Sequence, residues 1–130
     1  MLMEPKKDDL QASTVVEPAW YKVVIEDVID KPTNSGTGTN SWFKGKVICN
    51  ADNGDKKFEG VPTPFLWMIS SNAPMVFSIP LWRSIGVEME AGKRYDTQAF
   101  KGRTLEAFIG NELYQGVMQN KMEGKYRPAK

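Results

Sequence analysis

From Pro18 to Pro128 the chain consists of short runs rich in β-branched and aromatic residues, each closed by glycine, asparagine or proline. Only one block carries helix signals, so the chain reads as mainly β. The first run, from Trp20 to Ile29, alternates. Tyr21, Val23, Ile25 and Ile29 share one parity and form the expected core face, leaving Trp20, Lys22, Val24 and Glu26 outside. Residues 31–40 are a loop by composition, with residues 34–40 flexible enough to fold over a ligand. Gly36 and Gly38 give a GxG, but Ser41 stands where the third glycine of GxGxxG would be and no GK[ST] follows. This is a long hairpin connection, not a phosphate loop.

The second strand is expected from Ser41 to Asn50, with Phe43, Gly45, Val47 and Cys49 inward and Trp42, Lys44, Lys46 and Ile48 outward. Asn53-Gly54 signals a hairpin turn, returning through a third strand at 56–60. Pro62 and Pro64 interrupt the ladder before the apolar run 65–69. Within 72–86, Asn72 can cap, Pro74 suits a first turn and Gly86 can close the end. Pro80 splits the block, predicting a short turn and then a helix of about two turns over 80–85. Residues 95–100 read as a weak strand and 103–110 as a better one. Gly110-Asn111 reads as a turn into a partner strand over 113–121, with 124–128 as a peripheral extension. Tyr21, Phe43, Phe58, Phe65, Phe100 and Phe108 are the aromatic residues expected in or near the core. Three strands, one short helix and two strands is the order of the five-stranded, Greek-key oligonucleotide-binding (OB) barrel. The expected organisation is a mobile arm over 1–17 and one OB-like domain over 18–130, ending in that extension.

Composition narrows the chemistry. There is no histidine, which removes Ser-His-Asp and Cys-His nucleophiles and nearly all zinc sites. Cys49 is the sole cysteine and reads as a packed, inert thiol. Glu26, Asp27 and Asp30 could in principle hold a divalent ion for phosphodiester cleavage, but Glu26 and Asp27 fall on opposite faces of a strand and Asp30 opens a loop. Asp52 and Asp55 are ordinary turn residues. The expectation is a protein that is not an enzyme, with no metal and no cofactor. The longest apolar run is five residues, against the roughly 20 of a membrane span, and the first ten residues lack the apolar stretch of a secretory signal. A cytoplasmic protein without membrane contact is expected.

Seventeen basic residues nearly balance sixteen acidic ones, yet residues 1–17 carry a net −2 and residues 93–130 a net +4. Single-stranded nucleic acid is held by aromatic faces that stack on bases and by cations beside phosphates. That pairing is present at strand spacing: Trp42, Lys44 and Lys46 on one strand, Trp20 and Lys22 on its neighbour, Lys57 (or Lys56) on the third. Lys101 and Arg103 add a second basic cluster, with Lys121, Lys125 and Arg127 at the end of the last strand. Tyr114 is a further candidate stacking ring.

In order along residues 18–128, the chain resembles a family of small phage and prophage proteins found with replication and recombination genes. The resemblance is carried by Trp20-Tyr21-Lys22-Val23-Val24-Ile25, the loop 34–40, Phe43 and Val47, Leu81-Trp82-Arg83-Ser84-Ile85-Gly86, and Lys101-Gly102-Arg103-Thr104-Leu105-Glu106-Ala107. It continues through Tyr114-Gln115-Gly116, Asn120-Lys121-Met122 and Tyr126-Arg127-Pro128. Such proteins are regarded as OB-type single-stranded DNA-binding proteins. The resemblance implies binding of single-stranded DNA with weak sequence selectivity in the host-cell cytoplasm, contact with replication or recombination proteins, and a possible homo-oligomer. A protein-interaction module of the same fold, acting as a host-factor inhibitor or assembly adaptor, is the alternative. There, exposed tryptophans would anchor a partner. A metal-dependent nuclease is a distant third.

Overall fold

Alternation from Trp20 onward produces the longest strand, β1 (Ala19–Pro32), in the computed structural model, which describes residues 1–64 and 66–130. Phe65, expected in the core, lies outside the described residues. β1 pairs along its length with β2 (Thr39–Asn50), and its first half pairs on the other edge with β4 (Thr104–Tyr114). A short β3 (Met68–Ser70) flanks β2, and β5 (Val117–Pro128) flanks β4. The result is an antiparallel, five-stranded open sheet in the order β3-β2-β1-β4-β5. On β2, Phe43, Gly45 and Val47 are buried as read, whereas Cys49, expected inward, is half-buried and, beyond a register shift between Lys22 and Val23, pairs with the outward Lys22. On β1 a bulge between Ile25 and Asp27 flips the parity, so Val28 is buried in place of the expected Ile29.

The third strand is not at 56–60, which forms turns. Asn50 Oδ1 accepts from the N–H groups of Asp52 and Asn53, Asn53 Oδ1 from Asp55, and Asp55 Oδ1 from Lys57. This relay of side-chain caps keeps the backbone turning. The chain then follows the edge of β2, with Val47 N–H donating to Val61 O, Thr63 N–H to Gly45 O and Phe43 N–H to Trp67 O. Pro62 and Pro64, lacking N–H groups, keep this from becoming a continuous ladder until β3.

A 3-10 turn (Met75–Phe77) starts after Pro74, not at Asn72, and leads into α2 (Ile79–Ser84), within a residue of the expected helix. Pro80 lies in its first turn, where a missing N–H costs nothing. Residues 95–100 are not a strand. Asp96 caps Gln98 N–H and a 3-10 turn (Thr97–Phe100) carries Phe100 into the core. The last hairpin turns at Gln115-Gly116 and not at Gly110-Asn111. Both turn residues have positive φ, +50° and +79°, the two-residue turn that matches strand twist. Consequently 124–128 is no peripheral extension: Tyr126 pairs with Ala107, Arg127 with Glu106 and Pro128 with Leu105.

Of residues 1–17, Lys7–Ala12 form a short helix, α1. Val16 is buried in the core; its N–H donates to Asn120 Oδ1, while Asn120 Nδ2 donates to Thr14 O. Phe43, Phe100, Trp82 and Trp67 form an aromatic cluster with centroid separations of 4.5–5.1 Å. Trp67 also stacks on Tyr126 at 6.1 Å, joining the β3 side of the sheet to β5. Phe108, expected in the core, points outward beside Trp20.

Two consequences are measurable. A Cβ on Gly45 would lie 2.8 Å from Val24 O, a backbone atom of the paired strand. Gly45→Ala is therefore expected to destabilise by about 1–3 kcal/mol in urea unfolding. Burial pushes the Tyr126 phenol up to about 12, with Trp67 pulling the other way. The folded state thus favours the neutral phenol, contributing stability present below pH 10 and lost as pH rises towards 12. An ultraviolet phenolate titration should show a component near 12 that Tyr126→Phe removes.

Candidate nucleic-acid interface

Strand parity decides which side chains can meet a ligand. On β2, Trp42, Lys44 and Lys46 all emerge on the outer side, opposite the core residues Phe43 and Val47. Cross-strand pairing sets Trp42 between Ile29 and Met68, Lys44 opposite Asp27 and Lys46 opposite Val24. Lys22 emerges on the same side of β1, opposite Cys49. Trp20 lies two residues earlier on β1, opposite Phe108 of β4. The outer surface of the β1–β2 pair therefore has a tryptophan near each end and Lys22, Lys46 and Lys44 between. Trp42 faces Ile29, nine residues along β1 from Trp20, so the two indoles stand roughly 30 Å apart along the strand. They belong to one stripe, not one pocket.

Trp20 is held from two sides. The Arg127 guanidinium lies 4.2 Å over the Trp20 ring, and Phe108 meets it edge-on at 5.9 Å. Lys125 Nζ in turn sits 5.4 Å from the Phe108 centroid. Arg127 also binds Glu106 at 2.5 Å and Asp52 at 2.8 Å, and these partners stabilise its cationic form. Glu106 is almost fully buried, so this guanidinium is tied to structure. Trp42 is half-buried, within an outer strip with Ile29 and Met68.

Among the described residues, Lys22 and Lys44 form no ion pair, whereas Lys46 lies 3.9 Å from Glu26 and Lys101 3.6 Å from Asp27. These pairs are half-exposed and weak in water, so their cations remain open to a competing anion. Glu26 and Asp27 sit inside the basic stripe, which pairing register reveals and linear spacing does not.

Three expected site residues lie elsewhere. Lys57 is held by Glu17 at 3.2 Å and leans over Phe58. Arg103 donates from Nη2 to Ile85 O at 2.6 Å, closing the end of α2 instead of lining the stripe. Tyr114 is exposed at the tip of the β4–β5 hairpin, five residues past Ile109, where β4 last pairs with β1. The loop after β1 is shorter than expected and tied shut: Thr33 N–H donates to Gly38 O, and Ser35 bonds both Thr33 and Thr37.

A hollow of about 800 Å³ lies between β3, α2 and β5, lined by Met68, Leu81, Trp82, Tyr95 and Tyr126; none of the expected site residues lines it. No group of three or more His, Cys, Asp or Glu residues poised for a metal occurs among the described residues. No helix among them is long and apolar enough to cross a membrane. Compared with protein-family models and with curated proteins, the chain matches none.

Proposed function

We propose that this chain is a non-enzymatic, largely sequence-independent single-stranded DNA-binding protein of the OB type, serving phage replication or recombination in the cytoplasm of the host cell. The observation that carries the reading is the outer β1–β2 stripe, with Trp20 and Trp42 near its ends and Lys22, Lys46 and Lys44 between. Stacking tolerates every base and ammonium groups follow any phosphate chain, so such a stripe binds without reading sequence. The strand order supports the fold assignment. An OB barrel places β1 between β2 and β4 and closes where β3 meets β5, the two edges that Trp67 and Tyr126 bridge here. Trp42, one step from the unpaired Lys44, and Trp20 are the stacking platforms. Arg127 lies over the Trp20 ring, and Lys101 flanks the stripe beside Asp27. Replication or recombination proteins are the expected partners.

Titrating the protein with oligo-dT at two salt concentrations tests this. Tryptophan quenching, affinity that falls with salt and weaker binding to duplex are expected. Trp42→Ala should cost about 1–3 kcal/mol of binding, with the domain still folded. Lys44→Ala should flatten the slope of log K against log salt by about 0.7. Absence of binding at low salt refutes the reading and favours the protein-interaction module; magnesium-dependent cutting would reveal a nuclease.

Asp27→Asn gives an opposite-signed check. Removing that carboxylate releases Lys101 and unmasks Lys44, so oligo-dT affinity should rise several-fold at low salt and the gain should shrink as salt is added. An unchanged or weaker affinity would place the strand off this face.

A further inference from the structure

From Leu105 to Ile109, β4 turns Leu105, Ala107 and Ile109 into the core and leaves Phe108 half-buried on the face that carries Trp20 and Lys22. Phe108 pairs directly with Trp20, and the two rings meet edge-on at 5.9 Å. Cross-strand aromatic pairs stabilise a sheet, which accounts for the two rings touching. It does not account for the cation set beyond them. Ala107 pairs with Tyr126 but Ile109 with Met122, so Glu123, Gly124 and Lys125 of β5 lie opposite Phe108 alone. Gly124 takes φ +73°, and a bulge with a left-handed glycine re-aims the side chain beside it. Lys125 Nζ thereby comes within 5.4 Å of the Phe108 centroid. The neighbouring Glu123 carboxylate lies against Gly110 instead. Among the described residues the exposed Lys125 forms no ion pair.

We infer that Phe108 and Lys125 form a further nucleotide site, where Phe108 stacks a base and Lys125 meets the adjoining phosphate. The single strand then leaves the β1–β2 stripe at Trp20 and crosses β4 onto β5. This inference rests on the reading of the stripe as a single-stranded DNA site. Position favours it first: Phe108 adjoins Trp20 sideways, whereas Trp42 stands roughly 30 Å away along the strand. The tethering of the two cations favours it next. Arg127, bound by Glu106 and Asp52, stays over Trp20, while Lys125 is held by the ring of Phe108 alone. A cation over an exposed ring is held more weakly than a stacked base. An arriving base therefore displaces the ammonium from the ring, and the ammonium moves to the neighbouring phosphate without stranding a carboxylate. Two strand spacings separate β1 from β5, so this arm lengthens the path by about 10 Å.

Oligo-dT titrations of the full chain test the inference, with Phe108→Leu, Phe108→Tyr and Lys125→Ala run beside Trp42→Ala. Phe108→Leu keeps an apolar side chain against Trp20 but presents no flat face. Affinity should fall roughly five- to a hundredfold, and Phe108→Tyr should restore it. Lys125→Ala should flatten the slope of log K against log salt by about 0.7. Urea unfolding separates loss of fold from loss of binding. Lys125 is exposed, so its salt slope decides the matter even where Phe108→Leu is destabilising. Unchanged affinity in Phe108→Leu, or an unchanged slope in Lys125→Ala, overturns the inference. Where Trp42→Ala still weakens binding in that same series, the stripe reading survives the loss. A wild-type chain that binds no oligo-dT at low salt ends both.

Discussion

β1 serves two ladders at once, and the rest of the sheet hangs on how its backbone groups are satisfied. One edge is taken by β2 along its length. The other is taken by β4 only through Val24, after which Ile25 N–H donates to Arg103 O, Gly102 N–H to Ile25 O and Gln98 Nε2 to Val28 O. Buried backbone groups must find partners, so the turn at 100–103 is bound to β1 as firmly as a strand would be. That turn sets Phe100 against Phe43 and Trp82, and the helix α2 is placed by this aromatic contact. Packing of the core follows from hydrogen-bond accounting on a single strand.

The same strand controls the outer surface. Its bulge beyond Ile25 buries Val28 and leaves Asp27 facing Lys44, so two carboxylates enter a row of ammonium groups. Such a row attracts a polyanion less strongly than its lysines alone would, and salt dependence rather than raw affinity is where that moderation appears. Phase along the bulged strand, and not the charge total of the chain, sets the electrostatics of this face.

Much of the sheet was legible in the residues because alternation is a strong signal over long runs: the inward Phe43, Gly45 and Val47 and the outward Trp42, Lys44 and Lys46 follow directly. Departures have local causes. The bulge at 26 cannot be read from Val-Ile-Glu-Asp-Val, since nothing there forbids regular pairing. The apparent strand at 56–60 is undone by asparagine and aspartate side chains capping the backbone ahead of it, and the one at 95–100 by Asp96. Gly110-Asn111 looks like a turn, but the chain runs straight through and turns at Gln115-Gly116, placing a non-glycine residue at positive φ. For the stripe, residue types and parity were readable; the distance from Trp20 to Trp42 and the engagement of Trp20 by Arg127 depend on register and long-range pairing. Arg103 looked like a phosphate ligand and is a helix-end donor, a distinction only three-dimensional proximity to Ile85 makes.

The last turn of chain acts as a clasp. Tyr126 lays its ring on Trp67, Arg127 neutralises the buried Glu106, and the backbone N–H of Lys130 donates to that same carboxylate. Trimming the polypeptide back to Gly124 would strip all three at once, opening the indole to water and stranding an acid inside the protein. Residues 126–130 therefore fasten the fold across two elements at once, the aromatic side by stacking and the buried acid by charge.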